Sequence, residues 1–304
     1  MTGRPAGWPA VCLAEAQHLG CNRSLRGIYR HLRLVRRMVR GDAQGCVVRK
    51  VAPGDSVGPY SVGRQLGSGG FGTVYQGSSD HGAVALKVLA PQTGNERDAA
   101  DLLRRELAAA RRVDSGRIAR PLDWRLDDDP PWIAFTLIAG ASLADRLRVA
   151  PGGSLRIGRL LPIFTDIALA LQAIHEQGVI HRDLKPANIQ VTPRGEAVLL
   201  DLGVAIIGEQ SEQTRQAWGT DGYRAPEQQW GASRDSRSDV WSYGVCLYRA
   251  ATGSSPFGSP FAPGYFERLH DRPNLVGLPV LLADLLVECL HVDYKPRSFS
   301  RAPG

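Results

Sequence analysis

Lysine is scarce in this chain. Of 37 basic residues in 304, only Lys50, Lys87, Lys185 and Lys295 are lysine, so arginine is the default cation and each lysine marks a place where a compact ammonium differs from a guanidinium fork. Long apolar runs are missing as well: no eighteen consecutive residues are apolar, so no transmembrane segment is expected. The start of the chain, with Arg4, Pro5 and Pro9 among short apolar pieces, lacks the unbroken stretch of a secretory signal. Five cysteines, an odd number without a C-x-x-C pair, argue against a zinc site and for a reducing compartment, the cytoplasm. Of these, Cys246 and Cys289 fall in apolar helical patterns and read as small buried hydrophobes.

Charge is unevenly spread. Residues 1–59 hold ten Lys+Arg and three Asp+Glu, whereas residues 60–304 hold 27 of each, so the whole net charge of +7 lies in the first segment. A helix over 25–40 would align Leu25, Ile28, Tyr29, Leu32, Val35 and Val39, with Arg36 intruding, beside Arg26, Arg30, Arg33, Arg37 and Arg40. Such a basic extension suits an anionic partner or intramolecular docking, though a solvated arm or a misassigned start is the stronger reading. Tyr29 alone interleaves with these cations, which argues against base stacking.

What is present in abundance is oxygen-ligand chemistry in one short stretch. Asp183 stands within His181-Arg182-Asp183-Leu184-Lys185-Pro186-Ala187-Asn188, and Asp201 opens Asp201-Leu202-Gly203. One carboxylate suits a base and the other a metal ligand, the parts that phosphoryl transfer requires. Apolar spacing from Leu160 to His175 predicts a buried helix before this stretch. Ile189–Val191 and Ala197–Leu200 predict strands joined at Thr192-Pro193-Arg194-Gly195, so Asp201 leaves a strand end beside Asn188.

Upstream lies Leu66-Gly67-Ser68-Gly69-Gly70-Phe71-Gly72-Thr73-Val74, whose glycines let backbone amides approach phosphate. Alone, G-x-G-x-x-G also fits a dinucleotide turn, but Thr73–Gln76 and Ala83–Leu89 read as strands where that site needs a helix. The second strand carries Val84-Ala85-Leu86-Lys87. A helix predicted over Arg97–Val113 offers Glu106 as the partner of Lys87; Asp98 and Asp101 sit in its first turns, where acids complement the helix dipole.

Taken together, these residues resemble the eukaryotic-type (Hanks-type) bacterial serine/threonine protein kinase family, over Tyr60 to about Arg301. The resemblance implies an α+β, two-lobed fold: a β-rich small lobe at about 60–135, a hinge at about 136–140 and a mainly helical large lobe at about 141–304. It implies that Asp183 orients the acceptor hydroxyl and takes its proton, that Lys185 lies near the transferred phosphate, that Thr220 bridges the two, and that Asn188 and Asp201 hold Mg²⁺, with Mn²⁺ as a substitute. ATP would lie against Leu66, Gly67, Ser68, Gly69, Gly70, Phe71, Gly72, Val74, Ala85, Lys87 and Glu106, with Phe135 as gatekeeper and the backbone of Thr136 to Ile138 pairing with adenine. Structural support is assigned to His181, Arg182, Glu227 with Arg297, and Asp239; Leu202 departs from the family's usual Phe. Thr214 and Ser211 are the candidate regulatory phosphosites, with Arg182 as receiver.

The acceptors implied are serine and threonine hydroxyls of proteins, the chain itself included, in signal transduction. A pseudokinase scaffold and an aminoglycoside-kinase-type phosphotransferase are the competing readings. The first would be expected to lack a catalytic group; the second lacks Lys185 in this setting and the Ala225-Pro226-Glu227 segment. Seven residues follow Arg297, where the family usually adds a helix, so a short C-terminal end is expected.

Overall fold

Alternation of Val, Tyr and Ala with polar residues between Tyr60 and Val88 builds the small lobe. The computed structural model describes residues 50–69, 72–89, 96–202, 206–207, 220–229, 235–293, 295 and 297; the helix expected over 25–40, and Gly70, Phe71, Ser211 and Thr214, lie outside them. Strands β1 (Ser56–Val57), β2 (Tyr60–Gly69), β3 (Gly72–Ser79), β4 (Gly82–Val88), β5 (Pro121–Arg125) and β6 (Trp132–Thr136) form one antiparallel sheet in the order β1-β2-β3-β4-β6-β5. Its core joins Tyr60, Val62, Tyr75, Leu86 and Trp132 to Val51 and Val57, and the Tyr75 hydroxyl donates to Val51 O at 2.8 Å, so the packed lobe begins before Tyr60.

Helix α1 (Glu96–Ala110) lies on this sheet through Leu103 and Leu107, which pack on Ile133. It stops three residues before the end expected from its composition. Arg111 and Arg112 form a turn that carries Val113 into the core of the other lobe, together with Ala109, Ala110 and Ile118. Burial of that valine overrides the helical propensity of the segment.

The large lobe is mainly helical. Strand β7 (Ala141–Ser142) leads to α2 (Leu143–Val149), capped by Ser142, and then to α3 (Ile157–Glu176). By length and composition alone α3 is long and apolar enough to cross a membrane, although Arg159 and Asp166 interrupt it. It buries Leu160, Ile163, Phe164, Ile167, Leu171 and Ile174 in the lobe's core. Strands β8 (Val179–Ile180), β9 (Ile189–Val191), β10 (Ala197–Leu199) and β11 (Ile206–Ile207) follow; β9 pairs with β7 and β10, and β8 with β11. Short α4 (Pro226–Gln229), the buried α5 (Arg237–Thr252), short α6 (Tyr265–Arg268) and α7 (Val280–Cys289) complete the described chain. The architecture is a two-lobed α+β fold.

Candidate active site

Lys87 emerges from β4 between Val74 of β3 and Ile133 of β6, a position fixed by strand register. Its ammonium donates to both Glu106 oxygens at 2.8 and 2.7 Å, and to Asp201 Oδ1 at 2.8 Å across the lobes. Lys87 and Glu106 are buried, while the Asp201 side chain keeps 45% of its exposure. Burial opposes the charge on Lys87, but Asp201 and Glu106 outweigh it and hold the ammonium above its ordinary range. The Glu106 carboxyl is pushed up by burial to about 7, with Lys87 pulling the other way.

Above this group the β2–β3 hairpin pairs Gly67 with Val74, Ser68 with Thr73 and Gly69 with Gly72. The glycines have different reasons. A Cβ on Gly72 would lie 2.5 Å from Val88 O, so the approach of β4 demands glycine there, whereas one on Gly67 would meet open space. Leu66 and Ser68 are exposed, and Val74 and Ala85 are half-buried. Ala85 pairs with Phe135, which packs against the core of each lobe. Thr136 donates its N–H to Arg120 O at 2.9 Å, and Ile138 O accepts from Gln190 Nε2 at 3.2 Å. No local pattern singles out Gln190, a strand residue facing the connection between lobes.

The lower half hangs from Asp239, in the first turn of α5. Its Oδ2 accepts from His181 N and His175 Nε2, and its Oδ1 from Arg182 N, all at 2.8 Å. These bonds hold Arg182 at a φ of 66°, a left-handed conformation costly for a side chain of that size. Burial works to raise the Asp239 carboxyl, but the His175 hydrogen bond and charge, His181 and the Arg182 N–H hold it below the usual carboxylate range. His175, on the last turn of α3, escaped sequence reasoning because nothing local marks it. Gln228 escaped too: it accepts from Ala225 N at 2.8 Å and donates to Arg182 O at 3.3 Å. Asp183 N donates to His181 Nδ1 at 3.3 Å, which leaves Nε2 as the donor to Leu200 O.

From this loop the Asp183 carboxylate meets three donors, the most distant being Asn188 Nδ2 at 3.4 Å from Oδ2. Lys185 Nζ reaches Oδ2 at 2.7 Å and Thr220 Oγ1 reaches Oδ1 at 2.8 Å, while Lys185 also donates to Thr220 Oγ1 at 2.7 Å. Asn188 spends Nδ2 on Asp183 O at 3.0 Å, so its Oδ1 is the atom left for an incoming group. Leu200 N donates to Asn188 O at 2.8 Å, and Asp201 follows at a φ of 58°. Leu202 is buried in the large-lobe core.

Among the described residues no three His, Cys, Asp or Glu side chains gather as a metal-binding cluster. The half-exposed Asp201 carboxylate and Asn188 Oδ1 supply two hard oxygens, which fits Mg²⁺: it is held by one or two protein oxygens, with phosphates and water completing the octahedron. Farther off, Arg297 is buried, donates to Glu227 Oε1 at 2.7 Å and lies 4.8 Å over the Trp241 ring. That pair braces the segment carrying Thr220. Arg182 Nε makes no hydrogen bond among the described residues, and Ser211 and Thr214 lie outside them.

Comparison with known proteins places this site in context. Residues 60–299 match the family model described as the protein kinase domain. The chain is 36% identical over 249 residues to the probable serine/threonine-protein kinase PkwA of Thermomonospora curvata, covering 80% of this chain and 33% of that protein. It is 37% identical over 221 residues to the serine/threonine-protein kinase pkn2 of Myxococcus xanthus (69% and 26%), and 34% identical over 246 residues to AfsK of Streptomyces griseus (78% and 30%). The chain thus spans about a third or less of the length of the curated relatives it matches. Since the family model covers far more than half of the sequence, the chain belongs to the protein kinase domain family.

Proposed function

We propose that this chain transfers the γ-phosphate of ATP to serine or threonine hydroxyls of proteins, itself included, with Mg²⁺. One observation carries the reading: a carboxylate, Asp183, held by Lys185 and Thr220, faces the same cleft as an ammonium, Lys87, that is locked between Glu106 and Asp201. Bound Mg²⁺–ATP would supply a phosphoryl group whose charge is partly neutralised. The protein's own residues do the rest. Lys87 holds the phosphates, Asn188 and Asp201 offer oxygens to the metal, and the hairpin from Leu66 to Val74 covers the nucleotide. Asp183 accepts the proton of the attacking hydroxyl, and Lys185 stabilises charge on the phosphoryl oxygens as the bond to the leaving group breaks.

Names support the acceptor class, since the relatives above are called serine/threonine kinases. The free buried thiols Cys246 and Cys289 support a cytoplasmic setting. A domain boundary that the packing of Val51 and Val57 moves ahead of residue 60, the anionic or intramolecular partner of the basic segment, and phosphate on Thr214 or Ser211 received by Arg182 belong to this proposal. Incubation of the purified chain with ATP and Mg²⁺, with phosphosites mapped by mass spectrometry, tests it. Incorporation abolished by Asp183→Asn is the expected result; incorporation equal in both proteins rejects the assignment.

A further inference from the structure

Strand β9 buries Ile189 and Val191 in the large-lobe core and turns Gln190, half-buried, to its other face. That face borders the cleft: Gln190 stands two residues beyond Asn188, and across from it β4 presents Ala85 on the same face as Lys87, whose ammonium meets Asp201. Among the described residues its side chain makes one hydrogen bond, from Nε2 to Ile138 O at 3.2 Å. Because a carbonyl only accepts, this bond fixes which end of the amide faces Ile138. What Gln190 shows at that spot is hydrogen, not a lone pair.

The surroundings hold the bond in place. Ala141 pairs with Val191 and Ser142 with Gln190, so the connection that leaves β6 runs onto β9 itself. Gly140, at a φ of 125°, lies so close that a Cβ there would collide with Val191 O. Arg146 Nη2 donates to the same carbonyl at 2.8 Å and to Thr192 O at 3.0 Å. The Ile138 carbonyl and the amide are therefore arranged before a nucleotide arrives.

This arrangement bears on which base fits. Along its pairing edge adenine offers a donor at C6, an acceptor at N1 and a bare C–H at C2. A backbone that takes the first two with a C=O and an N–H meets the third with its next C=O, and when Ile138 N–H takes N1 that carbonyl is Ile138 O. Since Gln190 already occupies this oxygen, the place suits a C–H. An exocyclic amine would bring a second donor to a carbonyl already engaged, beside a nitrogen that has only hydrogens to offer. We propose that Gln190 is a specificity residue through which the site reads position 2 of the purine, admitting hydrogen and refusing the amine that guanine nucleotides carry. The proposal rests on the kinase reading above and adds to it a group that selects the nucleotide.

The test compares ATP with 2-aminoadenosine triphosphate, which differs only by the amine at C2, so that ribose, phosphate and metal contacts cancel in the ratio. Displacement of a fluorescent ADP analogue from the full chain with Mg²⁺ reads binding apart from turnover. The wild type should bind ATP about tenfold more tightly, the size of one hydrogen bond left unmade. Gln190→Leu, which frees Ile138 O, should bring the two affinities within about twofold of each other, and Gln190→Glu, which puts an acceptor in place of the donor, should favour the 2-amino compound. Equal affinities in the wild type, or a ratio unchanged in both variants, overturn the role of Gln190 and leave the kinase reading standing. Binding of neither nucleotide to the wild type, with no phosphate incorporated from ATP, overturns both.

Discussion

The two halves of the cleft are built on opposite plans. In the small lobe, regular structure sets the geometry: strand register delivers Lys87, a helix delivers Glu106, and the core beneath them is a separate apolar cluster. In the large lobe the reacting groups sit on loops, and one buried carboxylate, Asp239, both satisfies the loop's backbone and aims it. Charge in the upper half positions without folding; in the lower half one side chain does both. A site assembled from loops needs such an anchor, since Arg182 and Asp201 occupy left-handed backbone that nothing in a sheet or helix would enforce.

The largest expected effects test the halves together. Asp183→Asn should lower phosphotransfer by about 10² to 10⁴, and Lys87→Met comparably, in a steady-state assay. Thermal unfolding then separates them. Lys87→Met should leave the melting temperature nearly unchanged, because Glu106, already pushed up to about 7, takes a proton at little cost. Asp239→Ala strands three donors in the interior and should cost about 3–5 kcal/mol, seen as a fall in melting temperature on the order of 10 °C together with lost activity. Equal melting shifts in these two variants would dissolve the distinction between the lobes.

Smaller effects sharpen it. Glu106→Gln, which still accepts from Lys87, should cost about 1–3 kcal/mol in stability while lowering activity at least tenfold. The smallest effect is the acid limb. Asp239 is held below its unfolded pKa of roughly 3.9, so its contribution is complete above that value and lost as the pH falls through the folded one. Melting curves of the wild type and Asp239→Asn should therefore converge below about pH 4. A gap that stays constant from pH 7 to pH 3 would mean that the anion is not what matters at this position.

Legibility in the sequence followed the same division. Strand alternation around Lys87, the helix carrying Glu106 and the loop from His181 to Asn188 are readable because each is a local pattern. The fold class follows from them and from the family match. His175, Gln190 and Gln228 were not readable, since each acts by meeting a backbone atom or buried acid brought from elsewhere in the chain, 46 to 64 residues away for the pairs described. For Gln228 the separation is 46, and none of these partners leaves a trace in neighbouring residues. The helix end at Ala110 was misread for a related reason: the burial of Val113 in the other lobe is a tertiary fact. Gly72 looked like part of a phosphate cradle, and its closest constraint is the β4 carbonyl.

That misread helix end has a mechanical consequence. Just past α1, Leu199 N donates to Arg117 O at 2.8 Å, Ala119 N to Leu199 O at 3.0 Å, and Arg117 Nε to Asp166 at 2.9 Å, so the helix is clamped to the large lobe at one end. It therefore works as a lever with its fulcrum near Ala110. At about 1.5 Å per residue, Glu106 lies only about 6 Å from that fulcrum and Glu96 about 21 Å. A tilt of the lever sweeps its free end more than three times as far as the carboxylate that holds Lys87, so the grip on the ammonium stays geared down against motions of the small lobe.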